Sequence, residues 1–299
     1  MKKIFSILLP FIFFCSCEDV IDVDLPEEEP RLIINALLRV DKSQEYVGAK
    51  IRMSLTSSFF EDITIAEVDR VSILYGVEDE QGFMERPFNS VLVETTPGTG
   101  IYEPLVTSTI DYRIRTQDVN PDVTFYLSVI YKDRFYFSKT MYVPTVPIDN
   151  LEIGDGFLFD EDETELKITY TDDASRDDFY LFDFDLGNFL VSEDEFYQGQ
   201  QFGFSYYYDQ DLTVGQELEV SILGADRQFF NYMNLLLQQT DQNVGVFETP
   251  KATIRGNIFD FTDVDNRDQF DNTGNPDTFP LGYFAVVQEY KETITITEN

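Results

Sequence analysis

The sequence predicts a mainly β protein. An N-terminal sandwich of the immunoglobulin or fibronectin kind over 31–146 precedes a second β-rich domain over 147–299, which carries one helix near 226–239. Three observations lead there. Apolar and polar residues alternate at period two in several short runs, Gly, Pro, Asn and Asp punctuate those runs, and a single stretch has helical spacing. Trp is absent and the two cysteines stand at positions 15 and 17, so the disulfide packed on Trp of antibody domains cannot form. Only the sandwich architecture is predicted.

The elements follow in order. Met1-Lys2-Lys3 is a short positive start, 4–14 is almost wholly apolar, and small Ser16 precedes Cys17. The apolar run falls short of the roughly 20 residues that a spanning helix needs, but it suits a secretory leader. A small residue followed by Cys at its end resembles the lipobox of bacterial lipoproteins. Residues 1–16 are therefore read as a lipoprotein signal peptide, with Cys17 as the lipidated residue and membrane anchor; Cys15 follows bulky Phe14 and fits less well. Residues 17–30 form an acidic, Pro-punctuated tether that self-repulsion extends.

Ile51, Met53 and Leu55 then alternate with Lys50, Arg52 and Ser54. Val71, Ile73, Tyr75 and Val77 repeat the spacing, as do Phe125, Leu127, Val129 and Tyr131, with Lys132-Asp133 a turn into 134–143. Pro144-Thr145-Val146-Pro147 reads as a stiff hinge. Strands are expected over 166–171, 179–186, 283–287 and 293–297. Asp226 caps a helix in which Phe229, Tyr232, Met233, Leu236 and Leu237 fall at helical spacing. The polar stretch 256–280 reads as a long loop.

Composition removes several function classes. The chain has no histidine, so a Ser-His-Asp or Cys-His triad and a His-rich zinc or iron site are excluded. A formal net charge of −35 repels nucleic acid and anionic lipid surfaces. Gly203-Phe204-Ser205 lacks the closing Gly of a nucleophile elbow. Acidic pairs abound: Asp183 with Asp185, Asp209 with Asp211, Asp263 with Asp265. Asp263, Asp265 and Asp268, in one loop with Asp260, Asp271 and Asn272, offer the best oxygen ligands for a structural calcium, against the plainer reading of a solvated acidic loop. After Asp183 the glycine at 187 comes one position too early for an EF-hand. Paired carboxylates also suit glycoside hydrolysis, but with 56 Asp and Glu a chance pair is expected. The ring-rich stretch 196–208 suits a sugar or peptide ligand, with Phe202, Tyr206, Tyr207 and Tyr208 as contacts, or else strand packing.

Both ends of the chain carry a resemblance. Cys17-Glu18-Asp19-Val20-Ile21-Asp22-Val23-Asp24-Leu25-Pro26, followed by Pro30-Arg31-Leu32-Ile33-Ile34-Asn35, resembles the opening of the Bacteroidota lipoproteins called domain of unknown function 4249. Gly100-Ile101-Tyr102, residues 247–250, Arg255-Gly256-Asn257-Ile258 and Leu281-Gly282-Tyr283-Phe284 resemble the later parts of that family's signature. The resemblance implies a lipoprotein encoded beside TonB-dependent outer-membrane transporters, with no family-wide catalytic residues. The acidic residues after Cys17 also resemble a surface-export signal. The expectation is thus a lipid-anchored outer-membrane protein at the cell surface, not an enzyme. It would act as an accessory or binding partner of a TonB-dependent transporter in nutrient capture or uptake, with no cofactor beyond the structural calcium. Its second domain is expected to make the functional contact, to a peptide or glycan or to the transporter. The alternatives are a structural surface adhesin and a carboxylate-based glycan hydrolase.

Overall fold

The computed structural model describes residues 29–57, 63–158, 163–240, 253–262, 272 and 279–297. The first half of the chain supplies β1 (Leu32–Val40), β2 (Ile51–Leu55), β3 (Arg70–Val77), β4 (Phe88–Glu94), β5 (Ile101–Pro104), β6 (Val123–Tyr131) and β7 (Arg134–Val143). The second half supplies β8 (Ile148–Ile153), β9 (Thr164–Thr171), β10 (Phe179–Asp183), β11 (Phe189–Glu193), β12 (Gln201–Tyr208), β13 (Glu217–Ala225), helix α1 (Arg227–Thr240), β14 (Ile258–Asp260) and β15 (Leu281–Thr295). Among the described residues no helix is long and apolar enough to cross a membrane.

The immunoglobulin or fibronectin-like sandwich expected over 31–146 does not form. The main sheet closes into an eight-stranded barrel in the order β15-β1-β2-β5-β4-β3-β6-β7, with β15 pairing β7 to complete the ring. Alternation buries one face of a strand equally well in a sandwich or a barrel, so it does not distinguish them. What decides is β15, from the far end of the chain, which runs parallel to both neighbours: Leu38 pairs Val286, and Val286 pairs Tyr142. Closure leaves no unpaired edge in the ring. Its interior is filled by Ile34, Leu38, Ile51, Met53, Ile73, Phe125, Leu127, Phe284 and Val286, all buried. Lys132 and Asp133, at φ 49° and 60°, make the two-residue turn that the sequence suggested between β6 and β7.

The two strands expected near the C-terminus are one. The first part of β15 pairs β1 and its 289–295 part pairs β13. Residues 282–289 are buried without a break because β15 is covered on both sides. Phe284 and Val286 belong to the barrel core, whereas Tyr283, Ala285 and Val287 pack with Phe229 and Met233 of α1. Asp226 caps that helix as expected, its Oδ1 accepting the Phe229 N–H at 2.7 Å.

Beyond β13 the main sheet continues through β10 to β11, while β12, β9 and β8 form a separate sheet. Leu166, Ile168 and Tyr170 of that sheet meet Tyr180, Phe182, Val220 and Ile222 across a second core. Rings lock it: Tyr170 lies edge-on to Tyr180 at 5.1 Å, and Phe184 stacks on Tyr206 at 4.1 Å. The 144–147 connector is packed, since Thr145 donates its N–H to Gln288 Oε1 at 3.2 Å and Val146 is buried in the second core. Strand β14, inside the stretch expected to be loop, pairs β7.

Candidate functional site

The two ends of the barrel differ in chemistry. β1, β7 and β15 run parallel, so Leu32, Arg134 and Leu281 mark one rim. Chain enters β1 there directly after the 17–30 segment. Arg31 and Arg255 both stack on Phe279, at 4.6 and 4.7 Å from its ring centroid. Asn257 serves the same region: its Nδ2 donates to the Phe284 carbonyl and its Oδ1 accepts the Phe284 N–H, both at 2.8 Å. Gly282 sits at φ 96° with its Cα against Ile34 O, and Gly256 lies against the Gly282 carbonyl, so any side chain at either would overlap backbone. Residues that are distant in sequence thus meet at one seam, and their role there is structural.

The opposite rim is built differently. Val77 pairs Val123, and β6 begins where β7 ends, Thr124 facing Met141, so Val77 and Val123 lie away from Arg31. A cleft of about 710 Å³ opens on this rim. Its floor is a ladder of rings. Phe125 stacks on Tyr75 at 5.5 Å, and Tyr75 stacks on Phe88 at 5.3 Å, running from the core to a ring that is 54% exposed. Val77, which alternation placed in the core, is instead exposed at the mouth.

Tyr75 is only 5% exposed and lines the cleft, yet its hydroxyl has no hydrogen-bond partner among the described residues. Burial pushes the phenol up to about 12, the Asp118 carboxylate adds to the rise, and Arg115 opposes it. Glu78 behaves in the other sense. Burial alone would raise its pKa, but Lys139 at 2.8 Å and the Tyr126 and Thr124 hydroxyls hold it below the usual carboxylate value. Asp79 Oδ1 accepts the N–H groups of Gln81 and Phe83, each at 2.9 Å, and so fixes the turn between β3 and β4. Glu85, Arg86 and Asp118 also line the cleft and have no hydrogen-bonded or ionic side-chain partner among the described residues. Gln117 and Asn120 add amides. Such a surface can stack a flat group and accept several hydrogen bonds; it pairs no nucleophile with a base.

The residues singled out in the sequence lie elsewhere. Phe202 and Tyr206 are half-buried against the second core, and Tyr208 is buried there with its hydroxyl on Phe184 O at 2.6 Å. Tyr207 faces the other side of β12 and donates to Glu165 at 3.3 Å. Ser205 also donates to Glu165, at 2.5 Å, as does the Gly156 N–H at 2.8 Å, with Lys167 at 3.5 Å. The Ser205 bond is the chief reason that the Glu165 carboxyl lies below its ordinary value, against a smaller effect of burial. Asp183 pairs Arg39 at 2.5 Å, and Arg39 also reaches Glu289 at 3.1 Å. Asp185, at φ 63° in the following turn, accepts the Glu219 N–H at 3.2 Å. Asp209 and Asp211 are exposed.

Of the acidic loop, Asp260 is buried and bound by Arg134 and by the Thr262 hydroxyl at 2.5 Å. Asn272 pins β14, accepting the Asp260 N–H and donating to Ile258 O, each at 2.9 Å. Asp263, Asp265, Asp268 and Asp271 lie outside the described residues, as does Cys17. Among the described residues no group of three or more acidic side chains is arranged to hold a metal. Sequence reasoning missed Phe88, Glu85 and Asp118. The register that sets Phe88 opposite Tyr75 is the signal that exposes them, and it needs the strand pairing.

A protein-family model described as a domain of unknown function (DUF4249) matches residues 18–267. No curated protein matches the chain.

Proposed function

The chain belongs to the DUF4249 family, and from that premise we propose that it is a lipid-anchored outer-membrane protein at the cell surface, acting without catalysis as an accessory binding partner of a TonB-dependent transporter in nutrient capture or uptake. The observation that carries this reading is the polarity of the barrel. Strand β1 starts at the Arg31 rim, and the cleft opens on the opposite rim. At about 3.5 Å per residue, the 17–30 segment reaches no more than about 45 Å, enough to hold the body near a membrane partner while leaving the far rim free. The absence of His and of any cysteine after position 17 supports a binding role over triad or thiolate chemistry. Large acidity supports steering toward a basic surface, with an on-rate that falls as salt rises. Affinity purification of the tagged full chain from solubilised membranes tests the proposal. A TonB-dependent transporter should be recovered by mass spectrometry. Turnover of a glycan, lost on a single Asp or Glu substitution with the fold intact, would overturn it.

A further inference from the structure

We infer that the far-rim cleft is a recognition site for a guanidinium-bearing peptide segment, held by stacking on Phe88 and by Glu85, Asp118 and the Tyr75 hydroxyl. The inference rests on the binding role proposed above and names the ligand class of that same cleft.

Four features converge. Phe88 is the outer rung of the ring ladder, backed by Tyr75 and Phe125 at interplanar angles of 22° and 10°, so its open face is a rigid platform. A planar cation stacks on such a face more favourably than a hydrated ammonium does. Glu85 and Asp118 have no side-chain partner among the described residues, and two such carboxylates beside a ring match the planar fork of N–H donors on a guanidinium. The third feature is Tyr75: its ring is almost wholly buried, while its hydroxyl reaches solvent in the cleft and has no hydrogen-bond partner among the described residues. A hydroxyl that reaches solvent and is unclaimed by its neighbours can exchange water for a ligand group. As a neutral phenol beside Asp118, it can donate to that carboxylate when the ligand draws the two together, or accept from a ligand N–H.

The fourth feature is charge, which separates this ligand from a neutral glycan. Four carboxylates line the cleft (Glu78, Asp79, Glu85 and Asp118) against one guanidinium, that of Arg86. Arg115 lies close enough to Tyr75 to affect its phenol, and Lys139 offsets Glu78, yet the acidic groups still dominate around the open face. The chain as a whole carries −35. Such a field concentrates cations at the mouth and gives an uncharged sugar nothing. Ring-and-amide chemistry alone would suit either ligand; the sign of the field selects the cation.

The test uses the full chain in detergent and a fluorescein-labelled peptide, Gly-Arg-Gly-Arg-Gly, read by fluorescence anisotropy at 150 mM salt. Its counterpart has both arginines replaced by citrulline, which keeps the planar shape and removes the charge. Binding should weaken about tenfold with citrulline, about tenfold with the Glu85→Gln/Asp118→Asn double variant, and several-fold with Phe88→Ala. Melting temperature should be unchanged for the Glu85→Gln/Asp118→Asn variant, because neither carboxylate has a side-chain partner among the described residues; Phe88→Ala gives up the stack on Tyr75, so its binding is measured well below its own melting temperature. Tyr75→Phe should weaken binding without loss of stability. Equal binding of the citrulline peptide overturns the inference. So does arginine-peptide binding that all four substitutions leave intact, since that is attraction to an acidic surface and no site. Binding of maltoheptaose at Phe88, with no binding of the arginine peptide, assigns the cleft to a glycan instead. Transporter recovery is measured separately: its loss with arginine binding intact sinks the accessory-partner reading and leaves the ligand class standing.

Discussion

Replacing Asn257 with Ala should loosen the seam that joins the far end of the chain to the barrel. The Asn257 side chain satisfies both the N–H and the C=O of Phe284, at 2.8 Å each, and Ser138 Oγ holds the Asn257 carbonyl at 2.7 Å. Phe284 itself is fully buried and pairs Ala36 on β1 on its other side. Truncation leaves two backbone groups without partners, at about 1–3 kcal/mol each. Asn257 is half-exposed, so water recovers part of the loss, and about 3 kcal/mol remains as the working figure. At about 2.1 cal/mol/K of unfolding entropy per residue, a chain of 299 residues then loses about 5 °C in Tm. Asn257→Asp keeps the acceptor for the N–H but sets an oxygen against the Phe284 carbonyl, and should be no better than Ala. Thermal melts followed by circular dichroism, with limited proteolysis to show which part opens, give the readout. A fall of less than about 2 °C for Asn257→Ala would refute the assignment of this signature residue to the seam.

Two further outcomes follow from the geometry. Glu165 has a folded pKa below its ordinary 4.5, so its stabilising effect is complete above that value and fades as pH falls through the lower folded value. Ser205→Ala should therefore melt below the wild type at pH 7, by a margin that shrinks toward pH 3; a margin that does not change with pH would show that the Ser205 bond does not act on the carboxylate charge. Cys17→Ala should move the chain from the membrane fraction to the soluble one, whereas a variant that stays tightly membrane-bound would remove the lipid anchor from the account.

Much of the local structure was legible in the residues. Alternation located β3, β6 and β7, Lys132-Asp133 marked their hairpin turn, and Asp226 with Phe229 and Met233 marked α1. Closure of the barrel was not legible. It depends on Leu281–Thr295 lying beside Leu32–Val40, and no local pattern encodes a partner at that distance. The unbroken apolar run through 283–287 was a partial clue, since it marks a strand covered on both faces. The site was hidden for the same reason. Tyr75 shows the spacing of a core residue and is one, but its free hydroxyl and exposed neighbour Phe88 depend on where β3 leaves the barrel. The ring-rich stretch of β12 drew attention by composition, and its alternation places Phe202, Tyr206 and Tyr208 toward the second core, with Tyr207 facing outward.

The most direct test of the central claim is quantitative co-purification from native membranes at endogenous level, comparing the wild-type chain with Cys17→Ala. The account predicts a TonB-dependent transporter as a major partner of the anchored protein, recovered in near-stoichiometric amount and reduced at high salt. Recovery of the anchored, surface-accessible chain with no transporter, alongside attachment of the cells to a surface that its deletion abolishes, would contradict the account and favour an adhesin.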